Sequence, residues 1–273
     1  MLRGLFVVAV ATNIPGPLAA ARLHALGASV LKVEPMRGDP LERGAPDWYA
    51  QLVRGVEVTQ RDLRAPETRA FLDERLNGAD LLITAMRASS LAGAGLDWAT
   101  LHARHPRVCA LSLSGEAPPY DDRPGHDLTY QARAGTIAPP SLPRALVGDM
   151  AAAERVVSVS LALLLQRERM GVAGHANVAI TDAASDFAQP YVHGLTAPHG
   201  ELGGGLAAYG IYAAQDGWIA VAALEPHFAE RLRAMLEIGE LNVESLTRAF
   251  AGRRAQEWET LAQHHDVPLA VVR

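Results

Sequence analysis

Ten histidines, one cysteine and thirty acidic residues are the groups with which this 273-residue chain could do chemistry. Their spacing excludes several kinds at once. No C-x-x-C, H-E-x-x-H or D-x-D-x-D-G run is present, so no metal site is expected, and His264-His265 reads as a solvated helix end. Ser112-Leu113-Ser114-Gly115 does not match the G-x-S-x-G of a nucleophilic serine. The first apolar run is followed by Ala11-Thr12-Asn13-Ile14-Pro15-Gly16-Pro17, not by G-x-G-x-x-G, and no G-x-x-x-x-G-K-[ST] loop occurs. A nucleotide cofactor held in the common ways is therefore not expected. Two segments stand out instead: Pro124-Gly125-His126-Asp127-Leu128-Thr129-Tyr130-Gln131-Ala132 and Leu146-Val147-Gly148-Asp149-Met150. Taken alone they are bland. Asp149 directly before a long apolar stretch is a helix N-cap, Glu225 before Pro226 is another, and His126 in a Gly/Pro loop is an exposed side chain.

The elements that must position these residues follow from periodicity. Leu5–Ala11 is a buried strand rather than the core of a signal peptide. A Pro15-Gly16-Pro17 turn, a helix from Leu18 to Leu26 stopped by Gly27, and a strand over Ala28–Glu34 complete a parallel βαβ unit. Pro35 to Pro46 reads as a surface loop at the carboxyl end of that strand, where open α/β sheets bind ligands. A helix over Pro66–Asn77, a strand over Ala79–Thr84, a short helix over Trp98–His105 and a strand over Arg107–Ser114 continue the alternation. That pattern predicts an α/β fold, a Rossmann-like parallel sheet flanked by helices. Gly115 to Pro143 is a long proline-rich loop of the kind that carries function. A buried helix from Met150 to about Arg169 and a strand over Ala176–Thr181 follow. Ala207–Ala213 and Trp218–Ala223 flank Asp216-Gly217 as a hairpin, and helices near His227–Leu236 and Gln256–His264 close a smaller α+β region. The expected division is 1–185 for the large domain and 186–273 for the small one.

With a formal net charge of −5 and no basic tract, nucleic acid is not an expected partner. No apolar run reaches the ~18 residues of a membrane span. A lone cysteine, Cys109, in an apolar run points to a reducing, cytoplasmic setting.

In combination the segments resemble the family III CoA-transferases, the CaiB/BaiF family, which includes the α-methylacyl-CoA racemases. The resemblance rests on Gly125-His126-Asp127-x-x-Tyr130-Gln131-Ala132, on Gly148-Asp149 before the long helix, and on Leu26-Gly27-Ala28-x-Val30-x-Lys32-Val33-Glu34-Pro35 with Gly38-Asp39-Pro40. Arg167-Glu168-Arg169-x-Gly171 and Asp216-Gly217-x-Ile219-Ala220-Val221 with Leu224-Glu225-Pro226-x-Phe228 also fit. It runs from about Gly4 to about Val271. The family's F-R-P-G is here Met86-Arg87-Ala88-Ser89, its N-G-K-R-S segment is Val53-Arg54-Gly55-Val56-Glu57, and its members usually continue past the point matching Asp266–Val271.

The resemblance implies an enzyme acting on acyl-CoA thioesters, a Rossmann-like large domain, a small domain and a homodimer of interlocked chains. Coenzyme A enters as part of the substrate, and no cofactor is permanently bound. In the racemase branch, residues matching His126 and Asp149 exchange the α-proton, with a glutamate matching Glu225 paired to the histidine. An acid/base pair with solution pKa values of ~6.5 and ~3.9 can share that relay if the site tunes them. The enolate oxygen then needs donors, such as backbone N–H groups at the start of the Met150 helix. In the transferase branch the aspartate matching Asp149 attacks the thioester and carries the acyl group, then CoA. His126 and Glu225 place the racemase reading first, CoA transfer second, and a catalytically silent acyl-CoA-binding homologue third. Lys32, Arg37, Arg54 and Arg87 are the expected phosphate contacts, and Gly125, Asp127 and Tyr130 are the expected remaining binding residues.

Overall fold

A computed structural model describes residues 1–273. The chain folds as two compact units, Met1–Ala188 and Gln189–Arg273. The first is built from β1 (Phe6–Val10), α1 (Pro15–Ala25), β2 (Ser29–Glu34), α2 (Pro40–Gly44), α3 (Pro46–Leu52), β3 (Glu57–Gln60), α4 (Pro66–Asn77), β4 (Leu81–Thr84), α5 (Ala88–Ala94), α6 (Trp98–Arg104), β5 (Cys109–Ser114), α7 (Asp127–Ala134), α8 (Val147–Met170), β6 (His175–Ala179) and α9 (Ile180–Phe187). All six strands are parallel, in the order β3-β2-β1-β4-β5-β6. The connections reverse direction between β1 and β4, which creates a crevice at the carboxyl edge.

Both faces of this sheet are covered, which is why its strands read as unbroken apolar runs. Strand alternation splits them cleanly. Val7, Ala9, Leu81, Ile83, Cys109 and Leu111 pack with α1 and α8, while Val8, Val10, Leu31, Leu82 and Ala110 pack with α4, α5 and α6. Each fully buried aliphatic side chain contributes about 1.5–3 kcal/mol.

Several boundaries differ from the sequence reading. Helix α1 begins at Pro15, not Leu18, because Pro15 and Pro17 occupy the first turn, where a missing N–H breaks no helical bond. Helix α8 begins at Val147, so Asp149 is its third residue and lies inside the first turn; Leu146 is the boundary residue. The loops expected at 35–46 and 115–143 contain α2 and α7. The strand expected over Ala176–Thr181 is β6, which ends at Ala179, with Ile180 and Thr181 already in α9, and the polar edge strand β3 and helices α3 and α5 had no expectation attached to them.

The second unit comprises α10 (Gln189–Val192), β7 (Tyr209–Ala213), β8 (Trp218–Ala222), α11 (Pro226–Leu236), α12 (Val243–Phe250), α13 (Ala255–His265) and β9 (Leu269–Val271). The expected hairpin is present, and β9 adds an antiparallel third strand against β8. Its core gathers Tyr212, Ile219, Val221, Leu232, Leu246, Phe250 and Trp258. No helix of either unit is long and apolar enough to cross a membrane.

Candidate active site

The carboxyl ends of β1, β4 and β5 open into a pocket of about 170 Å³, whose wall includes Asn13, Ala85, Gly125, His126, Tyr130 and Asp149. The long-loop segments of the sequence therefore converge on the switch point of the sheet. Asp149 enters from the first turn of α8, and its backbone N–H donates to Asp127 Oδ1 at 2.9 Å. Asp127, 5% exposed, also accepts from the Gln131 carboxamide within α7. One buried carboxylate thus ties the start of α8 to α7. Gly148 makes the approach possible: a Cβ there would stand 3.0 Å from Asp127 Oδ1 and 3.1 Å from Ile180.

The Asp149 carboxyl is pushed up to about 7, chiefly because burial penalises its charge and then because Asp127 repels it. The first turn of a helix favours a negative charge by about 0.3–1 kcal/mol, which is too little to offset that burial. Tyr130 lies against Gly125, where a Cβ would meet the phenol ring at 2.5 Å. Burial, followed by the charge of Asp149, raises its hydroxyl pKa and keeps it an O–H donor. His126 precedes α7 with an exposed side chain on the pocket wall. Its backbone N–H donates to Thr129 Oγ1, and its carbonyl accepts from the same hydroxyl, so the turn is held by backbone and the imidazole makes no cap bond.

These contacts give a signed prediction. Asp127→Asn keeps an oxygen for the Asp149 N–H while removing the neighbouring negative charge, so the Asp149 pKa should fall. The acid limb of the pH–rate profile should then move to lower pH by about half a unit to one unit. An unmoved limb would exclude Asp149 as the titrating group or Asp127 as its perturber.

A second cleft, of about 880 Å³, runs along the carboxyl ends of β2 and β3 and the start of α5, with Arg37, Arg61 and Arg64 against a single aspartate, Asp62. Arg61 stacks on Phe71 at 4.1 Å, and its Nε is buried without a partner. Arg87 is exposed at the boundary of α5, between Ala85 of the pocket and Ser89 of the cleft. The sequence reading missed Arg61 and Arg64; they follow the unrecognised strand β3.

Two expected phosphate contacts are corrected. Lys32 is 1% exposed, and its ammonium is consumed by Glu34 and by Asp39 Oδ2 at 2.7 Å. It is an internal counter-ion. Arg54 is exposed in the turn before β3, at the amino edge of the parallel sheet, opposite the pocket and cleft. Glu225 belongs to the second unit, where it precedes α11 with an exposed side chain that forms no cap bond. Two of the donors expected at the start of α8 are also engaged. The Asp149 N–H goes to Asp127 and the Met150 N–H to the Leu146 carbonyl.

The fold that places a half-buried acid at the switch point of a parallel sheet is shared with known proteins. The chain belongs to CoA-transferase family III, matched over residues 2–273. It is 31% identical to a succinyl-CoA–D-citramalate CoA-transferase of Chloroflexus aurantiacus over 58% of this chain and 44% of that protein. It is 28% identical to a probable fatty acyl-CoA transferase of Mycobacterium tuberculosis over 96% of this chain and 80% of that one. The chain thus spans less than half of the first relative and four-fifths of the second. A crystal structure of the mycobacterial protein superposes with a TM-score of 0.84 at 24% identity, covering 100% of this chain and 83% of that one.

Proposed function

We propose that the protein transfers CoA between carboxylic acids, with Asp149 as the covalent carrier. The observation that carries this reading is the desolvated Asp149 carboxyl in the switch-point pocket. A carboxylate partly withdrawn from water and raised in basicity is a better nucleophile than one in solution. Its oxygen attacks the thioester carbonyl, expelling CoA thiolate and leaving a mixed anhydride. The thiolate then attacks the Asp149 carbonyl, which releases the first acid and leaves an aspartyl-CoA thioester. The incoming carboxylate attacks that thioester and forms a second anhydride as the thiolate departs; the thiolate returns to the acceptor's acyl carbon and frees Asp149. The Tyr130 hydroxyl supplies an O–H donor in the pocket.

The CoA phosphates belong in the arginine cleft, with Arg37, Arg61 and Arg64 as the cations and Arg87 at its junction with the pocket. Arg61→Ala should raise KM for an acyl-CoA about tenfold with kcat little changed, since it removes a contact made equally in ground and transition states. A fall in kcat at constant KM would place Arg61 in the chemistry instead. The reading includes a homodimer working in the reducing cytosol.

Trapping tests the carrier. Protein incubated with an acyl-CoA and quenched with hydroxylamine should carry a hydroxamate on the Asp149 peptide, located by mass spectrometry. Absence of the adduct during turnover would overturn the assignment.

A second reading, α-proton exchange on a 2-methylacyl-CoA, is favoured by one observation: the His126 imidazole and Asp149 share the pocket wall. One fact weighs against it. Of the backbone donors it needs at the start of α8, those of Asp149 and Met150 are already used. Loss of the α-hydrogen in deuterated water, abolished by His126→Ala, would establish this second reading.

A further inference from the structure

The buried charges around Lys32 have an outlet at the pocket. Asp39 is 0% exposed. Its Oδ2 takes the Lys32 ammonium at 2.7 Å, and its Oδ1 takes two backbone N–H groups, Leu41 at 2.9 Å and Asn13 at 3.0 Å. Asn13 stands between β1 and α1 with φ of 69°, the left-handed region that non-glycine residues enter rarely and asparagine most readily. A carboxylate held by a buried cation therefore fixes the turn, and the turn presents Asn13 on the wall shared with Asp149. The Asn13 side chain is exposed and is not consumed by a bond within the protein.

The rest of the wall indicates what it meets. Thr12, Ser114, His126 and Tyr130 make the pocket polar, and its volume is small, about 170 Å³. A long hydrocarbon chain suits neither property. Building on the CoA-transfer reading, we propose that the pocket takes a short acyl group bearing an oxygen substituent, that the Asn13 carboxamide hydrogen-bonds this substituent, and that Asp39, held by Lys32, is the residue that positions Asn13.

Binding tests this separately from catalysis. Dissociation constants for succinyl-CoA, 3-hydroxybutyryl-CoA and butyryl-CoA are measured by calorimetry on the full chain. All three carry the same CoA, so their ratio isolates the acyl group and is insensitive to the fraction of protein that is folded. The protein should bind the better of the two oxygenated esters at least tenfold more tightly than butyryl-CoA. Asn13→Gly tolerates the left-handed turn while deleting the carboxamide, and should bring the ratio within about twofold of unity. Asp39→Asn should reduce the same ratio, and the double variant should lose no more than Asn13→Gly alone. No preference in the unaltered protein, or a preference that survives Asn13→Gly, overturns the assignment of Asn13. A preference lost in Asn13→Gly but intact in Asp39→Asn and Asp39→Ala overturns the positioning role. Failure of the CoA-transfer reading would show separately, as activity that persists in Asp149→Ala.

Discussion

Asp149→Ala should lower kcat for CoA transfer by at least ~10⁴-fold if, as proposed, its carboxylate carries both halves of the substrate. Binding of the CoA ester should persist, since the arginine cleft is untouched. The unaltered enzyme should show kcat/KM falling tenfold per pH unit below about 7, where the carboxylate becomes protonated, with a plateau above. A variant that keeps more than a hundredth of the activity would remove Asp149 from the mechanism. The same desolvation has a stability signature of opposite sense. The folded-state pKa lies above the unfolded one, so the stabilisation is fully present below about 4 and is lost as pH rises through about 7. Asp149→Asn, neutral at every pH, should therefore be more stable than the parent at pH 8 by about 1–3 kcal/mol, raising Tm by several degrees. At pH 4 that advantage should vanish. A gain in stability coupled to a loss of activity distinguishes a functional buried acid from a structural one, whose removal destabilises at high pH.

Most of the large unit was legible because a parallel sheet buried on both faces leaves continuous apolar runs. β1, β2, β4 and β5 carry them. The edge strand β3, Glu-Val-Thr-Gln, has no such run, and its loss hid Arg61 and Arg64. Helix α7 was hidden inside a proline-rich loop, since eight residues with few apolar positions give little periodicity. Asp149 and His126 were singled out only through the joint pattern of their segments. Singly, one resembles a cap and the other a surface histidine. What the pattern could not supply was the partner of each group. Asp127 as perturber of Asp149, and Asp39 as the clamp on Asn13, are contacts between residues 22 and 26 positions apart in sequence, set by the packing of separate elements. One overlooked signal lay in β2 itself. Lys32 and Glu34, two apart in an otherwise apolar strand, must share a face, and a face buried under helices cannot hold them unless they pair.

Lys32→Met should destabilise the fold by about 3–5 kcal/mol, close to 10 °C or more in Tm, because it strips the only cation from two buried carboxylates. The arrangement is already taxed: Glu34 Oε1 accepts from both Lys32 and the Tyr49 hydroxyl, yet Glu34 Oε2 is buried with no partner. Neutralising that carboxylate as well, in Lys32→Met with Glu34→Gln, keeps an acceptor for Tyr49 and should recover about 1–2 kcal/mol of the loss. A double variant no more stable than Lys32→Met would show that shape, not charge, sets the penalty. An apolar filling of this space would suit the sheet at least as well, so stability alone does not account for three charges there. Asp39 does, because it alone reaches the backbone of Asn13, and its other oxygen is held at zero exposure by the Lys32 ammonium. Lys32→Met should therefore also flatten the acyl preference that Asn13→Gly abolishes, linking a stability defect in the core to a specificity defect at the pocket.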